Sequence, residues 1–441
     1  MKTPIADFVK KYAESDFSRF HMPGHKGESF LGCEKYDITE IAGADVLSSA
    51  NGIIYESEKN AASLFKTEHT FYTTEGSTAA ICAMLALVNG EKPLILAARN
   101  VHKAFIHACA LLDYDVDWLM PEKFTSILNC EISAQTAEKK ILSAARKPAA
   151  VYLTSPDYLG NIQNIPEIAA VCKKYDISLL VDNAHGSYLG FLKESLHPIH
   201  LGATASCDSA HKTLPVLTGG AYLHIAKDAP DGLLKDARRK LALFTSTSPS
   251  YLILQSLDLC NAYIADGFGE KLEKCIEKVD KIKELATERG VKILKSEPLK
   301  IVVDAYESGY LGGEIYSYFR VNKIEPEFYD EHYVVLMVSP LNSDRGYKRL
   351  SSAFENLSHG IPLEKKKLSL PLPQMKMSIR HAVFADSEVV NTEDAVGRIC
   401  AAPTVSCPPA VPIAISGEEI TEEIAKLFLH YGIDKIQVVK E

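Results

Sequence analysis

From about residue 60 to residue 225 the chain alternates apolar blocks of two kinds, separated by short polar connections. Residues 76–87 are Ala-rich and apolar over a helical length, and residues 165–174 place apolar side chains at helical spacing on one face. Between such stretches lie short runs that are apolar at almost every position: 93–97, 149–154, 177–181 and 221–225. Runs of that length, rich in Val, Ile, Leu and Ala, predict strands buried on both faces. Strands of that kind alternating with helices predict an α/β fold with a mostly parallel sheet covered by helices. In such open sheets ligands bind beyond the carboxyl ends of the strands.

The pattern changes after residue 225. Residues 270–289 predict a long charged helix ended by Gly290. Strands restart at 300–304 and 333–338, followed by a helix over 344–357, so a second, smaller α+β lobe is expected. Lys365-Lys366-Lys367 and Pro371-Leu372-Pro373 read as a solvated linker, 393–399 as a short helix, 403–412 as an extended proline-rich segment and 418–431 as a last helix stopped by Gly432. A chain of 441 residues fits two domains, or one large domain with an appended lobe.

Composition narrows the classes. Hydrophobic content of 46% and charged content of 24% are those of a globular protein. The net charge of −9 and the absence of a Lys/Arg block argue against nucleic acid or an anionic membrane as partner. No apolar run reaches the roughly 18 residues of a spanning helix, and the first residues have no apolar stretch of signal-peptide type. The ten cysteines show no Cys-x-x-Cys pair and no metal-ligand spacing, which predicts reduced thiols in a cytoplasmic protein and no metal site.

The candidate chemistry centres on Lys212, in Asp208-Ser209-Ala210-His211-Lys212-Thr213-Leu214-Pro215. Thirty residues upstream, the 177–181 strand delivers Asp182-Asn183-Ala184-His185-Gly186. A strand-end aspartate followed at that interval by Ser-x-His-Lys suits pyridoxal phosphate. The lysine forms an imine with the cofactor aldehyde, and the carboxylate keeps the pyridine nitrogen protonated. Gly76, Ser77 and Thr78 open an apolar helix and offer either a phosphate cradle or an ordinary helix cap. His102, in the loop after the 93–97 strand, can stack on the cofactor ring or stand as a surface histidine. Ser155 before Pro156 offers a hydroxyl to the ring or simply starts a turn. Ser209 and His211 flank the lysine as phosphate ligands, although His211 also fits a core position.

These blocks resemble the Orn/Lys/Arg decarboxylases, a family of the aspartate-aminotransferase-like fold (pyridoxal phosphate fold type I). The resemblance rests on Arg19-Phe20-His21-Met22-Pro23-Gly24-His25-Lys26-Gly27, Glu75-Gly76-Ser77-Thr78, Asn100-Val101-His102-Lys103, Asp182-Asn183-Ala184-His185-Gly186 and Ser209-Ala210-His211-Lys212-Thr213-Leu214. Thr245 to Tyr251, Asp394 to Ile399 and Pro408 to Pro412 continue it in the family's order. The length is similar to the family's shorter form, without a receiver-like amino-terminal domain.

The resemblance implies an N-terminal arm (1–50), a cofactor-binding large domain (51–297) and a C-terminal small domain (298–441). It implies that Lys212 carries the cofactor, Asp182 pairs with its pyridinium and His102 stacks on the ring. Ser77, Thr78, Ser209 and His211 would bind the phosphate, with Ala184 and His185 lining the other ring face. It further implies decarboxylation of arginine, lysine or ornithine in a homodimer or higher homo-oligomer, with the 245–251 segment reaching a neighbour's site. Other pyridoxal reactions on the same scaffold (transamination, β-elimination, oxidation) and a non-catalytic cofactor-binding paralogue are the alternatives. An aminotransferase would clamp the α-carboxylate with a small-domain arginine, for which Arg380 and Arg398 are the candidates. The sequence departs from the family at Glu75, Gly219-Gly220, Cys407 and Ala410; a carboxylate at Glu75 would repel a phosphate unless it turned away.

Overall fold

Seven strands build the central sheet: β1 (His69–Thr73), β2 (Leu94–Ala98), β3 (Asp115–Leu119), β4 (Ala150–Thr154), β5 (Ser178–Asp182), β6 (Ala205–Asp208) and β7 (Ala221–Ile225). In this computed structural model, which describes residues 1–88, 90–122, 126–364, 371–402 and 411–441, they lie in the order β1-β7-β6-β5-β4-β2-β3. From β6 across to β3 every pair is parallel, and β7 runs antiparallel to both β6 and β1.

The unbroken apolar runs have a direct cause. In β4, Ala150 and Tyr152 enter one core while Val151 and Leu153 enter the other, and in β5 Leu180 faces the first core while Leu179 and Val181 face the second. A pleated strand sends successive side chains to opposite faces, so a strand covered on both sides has no place for a polar residue. Helices Gly76–Ala86 and Lys103–Leu112 cover the first face, and Ala134–Ser143 and Ile165–Lys174 the second. Helix Gly76–Ala86 is buried along its whole length from Ala79, which explains why it is apolar all round.

Beyond the long helix Phe268–Glu288 a second, antiparallel sheet contains β8 (Ile293–Leu294), β9 (Lys300–Asp304), β10 (Phe328–Tyr329) and β11 (Tyr333–Met337), in the order β10-β11-β9-β8. It packs with helices Pro4–Ala13, Ile53–Phe65, Tyr251–Ala265 and Asp344–Asn356 in one further core. A third unit pairs β12 (Ser387–Asn391) with β13 (Lys435–Val439) over a small core that includes Ala395, Ile413, Ile424 and Phe428.

Two sequence expectations in this last unit are corrected. Residues 393–399 do not form a helix: only a 3-10 turn, Thr392–Ala395, is present, and Gly397 at φ +84° leaves helical geometry. The final helix is Glu422–His430, capped by the Thr421 hydroxyl, and does not begin at 418. Glu418 and Glu419 instead sit in β-bridges to Met375 and Ile399. The expected Lys365–Lys367 linker, most of the proline-rich segment, Cys407 and Ala410 lie outside the described residues.

Candidate active site

Strands β5 and β6 lie side by side in the sheet, and Asp182 and Lys212 lie at or just beyond their ends. Asp182 is the last residue of β5 and is buried. Its Oδ1 accepts from the Ala184 N–H at 3.1 Å and from the Cys207 thiol at 3.7 Å, and Oδ2 accepts from the Tyr152 hydroxyl at 3.4 Å. After β6 the chain passes through Ser209 into a single helical turn, Ala210–Thr213, which holds Lys212. Lys212 Nζ lies 3.1 Å from His185 Nε2, so the motif two residues past Asp182 meets the motif after β6. Burial lowers the pKa of Lys212, opposed by the charge of Asp182 and reinforced by that of Lys300. His185 is held well below its usual value by burial and then by Lys300 and Lys212, so it is neutral at pH 7.

His102 caps helix Lys103–Leu112: its Nδ1 accepts from the Ala104 N–H at 3.2 Å, which leaves the proton on Nε2 and fixes the ring. Its pKa is lowered by burial, with Asp182 pulling it up and Lys212 down, so the three groups share one electrostatic neighbourhood.

Gly76 stands at φ +72° at the start of its helix, with nothing within 4 Å of where a Cβ would lie, and its N–H donates to the Gly219 carbonyl at 2.7 Å. Ser209 donates to the Ser77 hydroxyl at 2.7 Å, tying the end of β6 to this turn, while Thr78 is exposed on it. His211 contacts the Gly220 carbonyl through Nδ1 at 3.0 Å. Ser155 is buried beside β5, its N–H donating to the Asp182 carbonyl and its hydroxyl accepting from the Gln163 N–H.

The departure at Glu75 is accommodated locally. Its carboxylate accepts from the hydroxyls of Thr73 and Thr74, the Thr74 N–H and the Ser246 N–H, and so turns onto its own strand end. Ser246 thereby anchors the 245–251 segment to Glu75 of the same chain, while Ser250 caps the next helix. Gly219 is explained by space: a Cβ there would sit 2.7 Å from the Thr74 carbonyl oxygen. Arg380 donates to the carbonyls of Ala110 and Leu111, and Arg398 pairs with Glu388.

Several side chains near the site were not singled out in the sequence. Asp208, fully buried, accepts from Asn183 Nδ2 at 2.7 Å and from His197 Nε2 at 3.0 Å, locking the ends of β5 and β6 together. His197 Nδ1 accepts from the Ile199 N–H, so its Nε2 carries the proton given to Asp208. Tyr158 meets His185 edge to face, with centroids 5.3 Å apart. Lys300 enters from β9, its Nζ donating to the Asp157 carbonyl at 3.1 Å with Glu297 at 3.6 Å. A lysine opening an otherwise apolar strand was the available signal for Lys300; a tyrosine in a loop carried none.

Residues 3–349 match the family model for the major domain of Orn/Lys/Arg decarboxylases. The chain belongs to the Orn/Lys/Arg decarboxylase family. Among its relatives, the arginine decarboxylase of Halalkalibacterium halodurans is 30% identical over 96% of this chain and 91% of that one. The constitutive lysine decarboxylase of Escherichia coli is 25% identical over 61% of this chain and 41% of its own. The crystal structure of the Francisella novicida lysine decarboxylase superposes with a TM-score of 0.82 at 17% identity, covering 99% of this chain and 81% of that one. The fold is therefore the aspartate-aminotransferase-like α/β fold, and membership of this family makes the protein a decarboxylase, a carbon–carbon lyase. Among the described residues no helix is long and apolar enough to cross a membrane.

Proposed function

We propose that this family member is a pyridoxal-phosphate-dependent decarboxylase of a basic amino acid, with arginine as the substrate ahead of lysine and ornithine. The observation that carries the reading is a buried carboxylate without a cation. Asp182 is 2% exposed, and among the described residues it forms no ion pair. A desolvated carboxylate of this kind is stabilised by a charged N–H donor, and a protonated pyridine nitrogen is one. Two further features support the fit. His185 Nδ1 is buried with no hydrogen-bond partner among the described residues, and the helix at Gly76 has no side-chain cap, leaving first-turn N–H groups for an anion. Arginine is favoured because the arginine decarboxylase relative matches 96% of the chain and the lysine decarboxylase relative 61%.

On this reading Lys212 would hold the cofactor covalently and Asp182 would keep the proton on its ring nitrogen. Gly76, Ser77, Thr78, Ser209 and His211 would hold its phosphate, and His102 on one side and Ala184 and His185 on the other would flank its ring. Ser155 supports the Asp182 strand end. Pyridoxal phosphate supplies the ring that accepts the electron pair released when the substrate's Cα–carboxylate bond breaks. The lowered pKa of Lys212 raises its share of free amine at neutral pH, the form that attaches to an aldehyde. Neutral His185, hydrogen-bonded to Nζ, can take or return the lysine proton. Lys212 or His185 then returns a proton to Cα. Arg380 and Arg398, turned to Ala110, Leu111 and Glu388, leave the α-carboxylate unclamped by either.

The same proposal includes the arm, large-domain and small-domain division at 50 and 297, a cytoplasmic location and a homodimer or higher homo-oligomer. Exposed Phe17, Phe20, Met22, Phe30 and Leu31 on the arm support the oligomer. The test is to incubate holoenzyme with arginine, lysine and ornithine, follow CO2 release and identify the amine by mass. Borohydride reduction and peptide mapping should place the cofactor on Lys212. An adduct on another lysine, or no CO2 from any of the three, would refute the proposal.

A further inference from the structure

We propose that Glu327 binds the cationic end of the substrate's side chain. This rests on the decarboxylase reading above and names the residue that gives that site its preference for basic amino acids. Three contacts in series lead from the reacting amine to the Glu327 carboxylate. Lys212 Nζ meets His185 Nε2 at 3.1 Å, the His185 ring meets the edge of Tyr158 at 5.3 Å between centroids, and the Tyr158 hydroxyl donates to Glu327 Oε1 at 3.2 Å. A substrate joined at Lys212's position would lay its aliphatic stem along Tyr158 and bring its charged end to Glu327. The backbone at Glu327 is held in place, its N–H donating to the Val335 carbonyl at 2.9 Å at the edge of the second sheet. The Tyr158 ring is held in turn by an edge contact with Phe328, at 5.0 Å.

The other carboxylates nearby are already committed. Glu297 is buried, hydrogen-bonded to the Tyr188 hydroxyl and 3.6 Å from Lys300 Nζ. Asp157 is buried, its two oxygens accepting from the backbone and side-chain N–H groups of Asn161. Glu327 is exposed, and among the described residues it forms no ion pair. Its charge nonetheless reaches inward, since it is one of the groups that oppose the lowering of the Lys212 pKa. An ionised, solvent-accessible carboxylate can receive a guanidinium or ammonium in a charge-assisted hydrogen bond, and a neutral side chain gains nothing there.

The experiment compares wild-type holoenzyme with Glu327→Gln, an exposed and isosteric change, and with Glu327→Asp. For each, KM and kcat are measured on arginine, lysine and ornithine. Binding of the dications agmatine, cadaverine and putrescine, and of the control butylamine, a monocation whose far end is an uncharged methyl group, is measured by calorimetry. The expected result for Glu327→Gln is a rise of about 10- to 100-fold in KM, with kcat changed less than about threefold. The dicationic amines should weaken by a similar factor, butylamine should be unaffected, and Glu327→Asp should recover part of the loss. If wild type decarboxylates none of the three amino acids, the functional reading falls, and the calorimetry alone decides the role of Glu327. Dicationic amines that bind Glu327→Gln as tightly as wild type, or a loss equal for butylamine, would overturn the proposal.

Discussion

The Arg99–Glu418 pair joins residues 319 positions apart, and breaking it should cost more than breaking any exposed pair in the molecule. Arg99 is 0% exposed and Glu418 1%, with the two guanidinium nitrogens at 2.6 and 2.7 Å from the two carboxylate oxygens. In Glu418→Gln the guanidinium stays buried with no counter-charge, facing a neutral amide, the Pro412 carbonyl at 3.4 Å and the Trp118 ring at 4.7 Å. Removing one partner of a buried pair leaves an uncompensated charge, a loss of about 3–5 kcal/mol. The control is Lys147→Ala, whose partner Asp176 is fully exposed, where about 0–1 kcal/mol is expected. The double variant Arg99→Met/Glu418→Met removes both charges and should be at least about 2 kcal/mol more stable than Glu418→Gln, because apolar replacement of a buried pair is close to neutral. Urea unfolding read at the first transition measures all three. Arg99 lies three residues before His102, so Glu418→Gln should also lower activity by loosening that loop. A loss under about 1 kcal/mol, or a double variant no better than the single one, would refute the reasoning.

Asp182→Asn should lose about 100-fold or more in turnover while still binding cofactor, because a neutral pyridine is a poor electron sink and the phosphate donors are untouched; near-native turnover would reduce Asp182 to a structural cap. Stability should fall on acidification from neutral pH. Burial holds His102, His185, His200 and His224 below their usual 6.5, so the unfolded chain takes up protons there that the native chain refuses. Their contribution is complete above about 6.5 and is lost as pH falls below it. Asp157 and Asp258, raised by burial to about 6, act in the opposite sense as pH passes down through that value, so the slope should flatten there. Urea midpoints across this range check the sign, and a midpoint that holds or rises between about pH 7.5 and 6 would contradict it.

Part of the element order through the main sheet was legible because it is set by near neighbours, while β3 and β6 were not among the expected strands. An apolar run of strand length, a switch to helical spacing and a polar turn are local properties, and strands β2, β4, β5 and β7 with helices Gly76–Ala86 and Ile165–Lys174 fall within a residue of where the pattern put them. The position of Asp182 at the end of β5 follows from the same local logic. At 393–399 and 418–421 it misled, because the composition was helical while Gly397 and the bridges of Glu418 and Glu419 drew the chain elsewhere.

Local pattern was thus enough to specify a helix-covered, mostly parallel sheet and the kinds of groups gathered near its carboxyl edge. How those groups meet came from the packing of the folded chain. It turned Glu75 onto Thr73, Thr74 and Ser246, joined Lys212 to His185, sent Lys300 to Glu297 and set Glu327 against the Tyr158 hydroxyl. The physical reason is that a side chain's partner across the fold depends on how sheets and helices pack, a long-range outcome that no periodicity in the chain encodes.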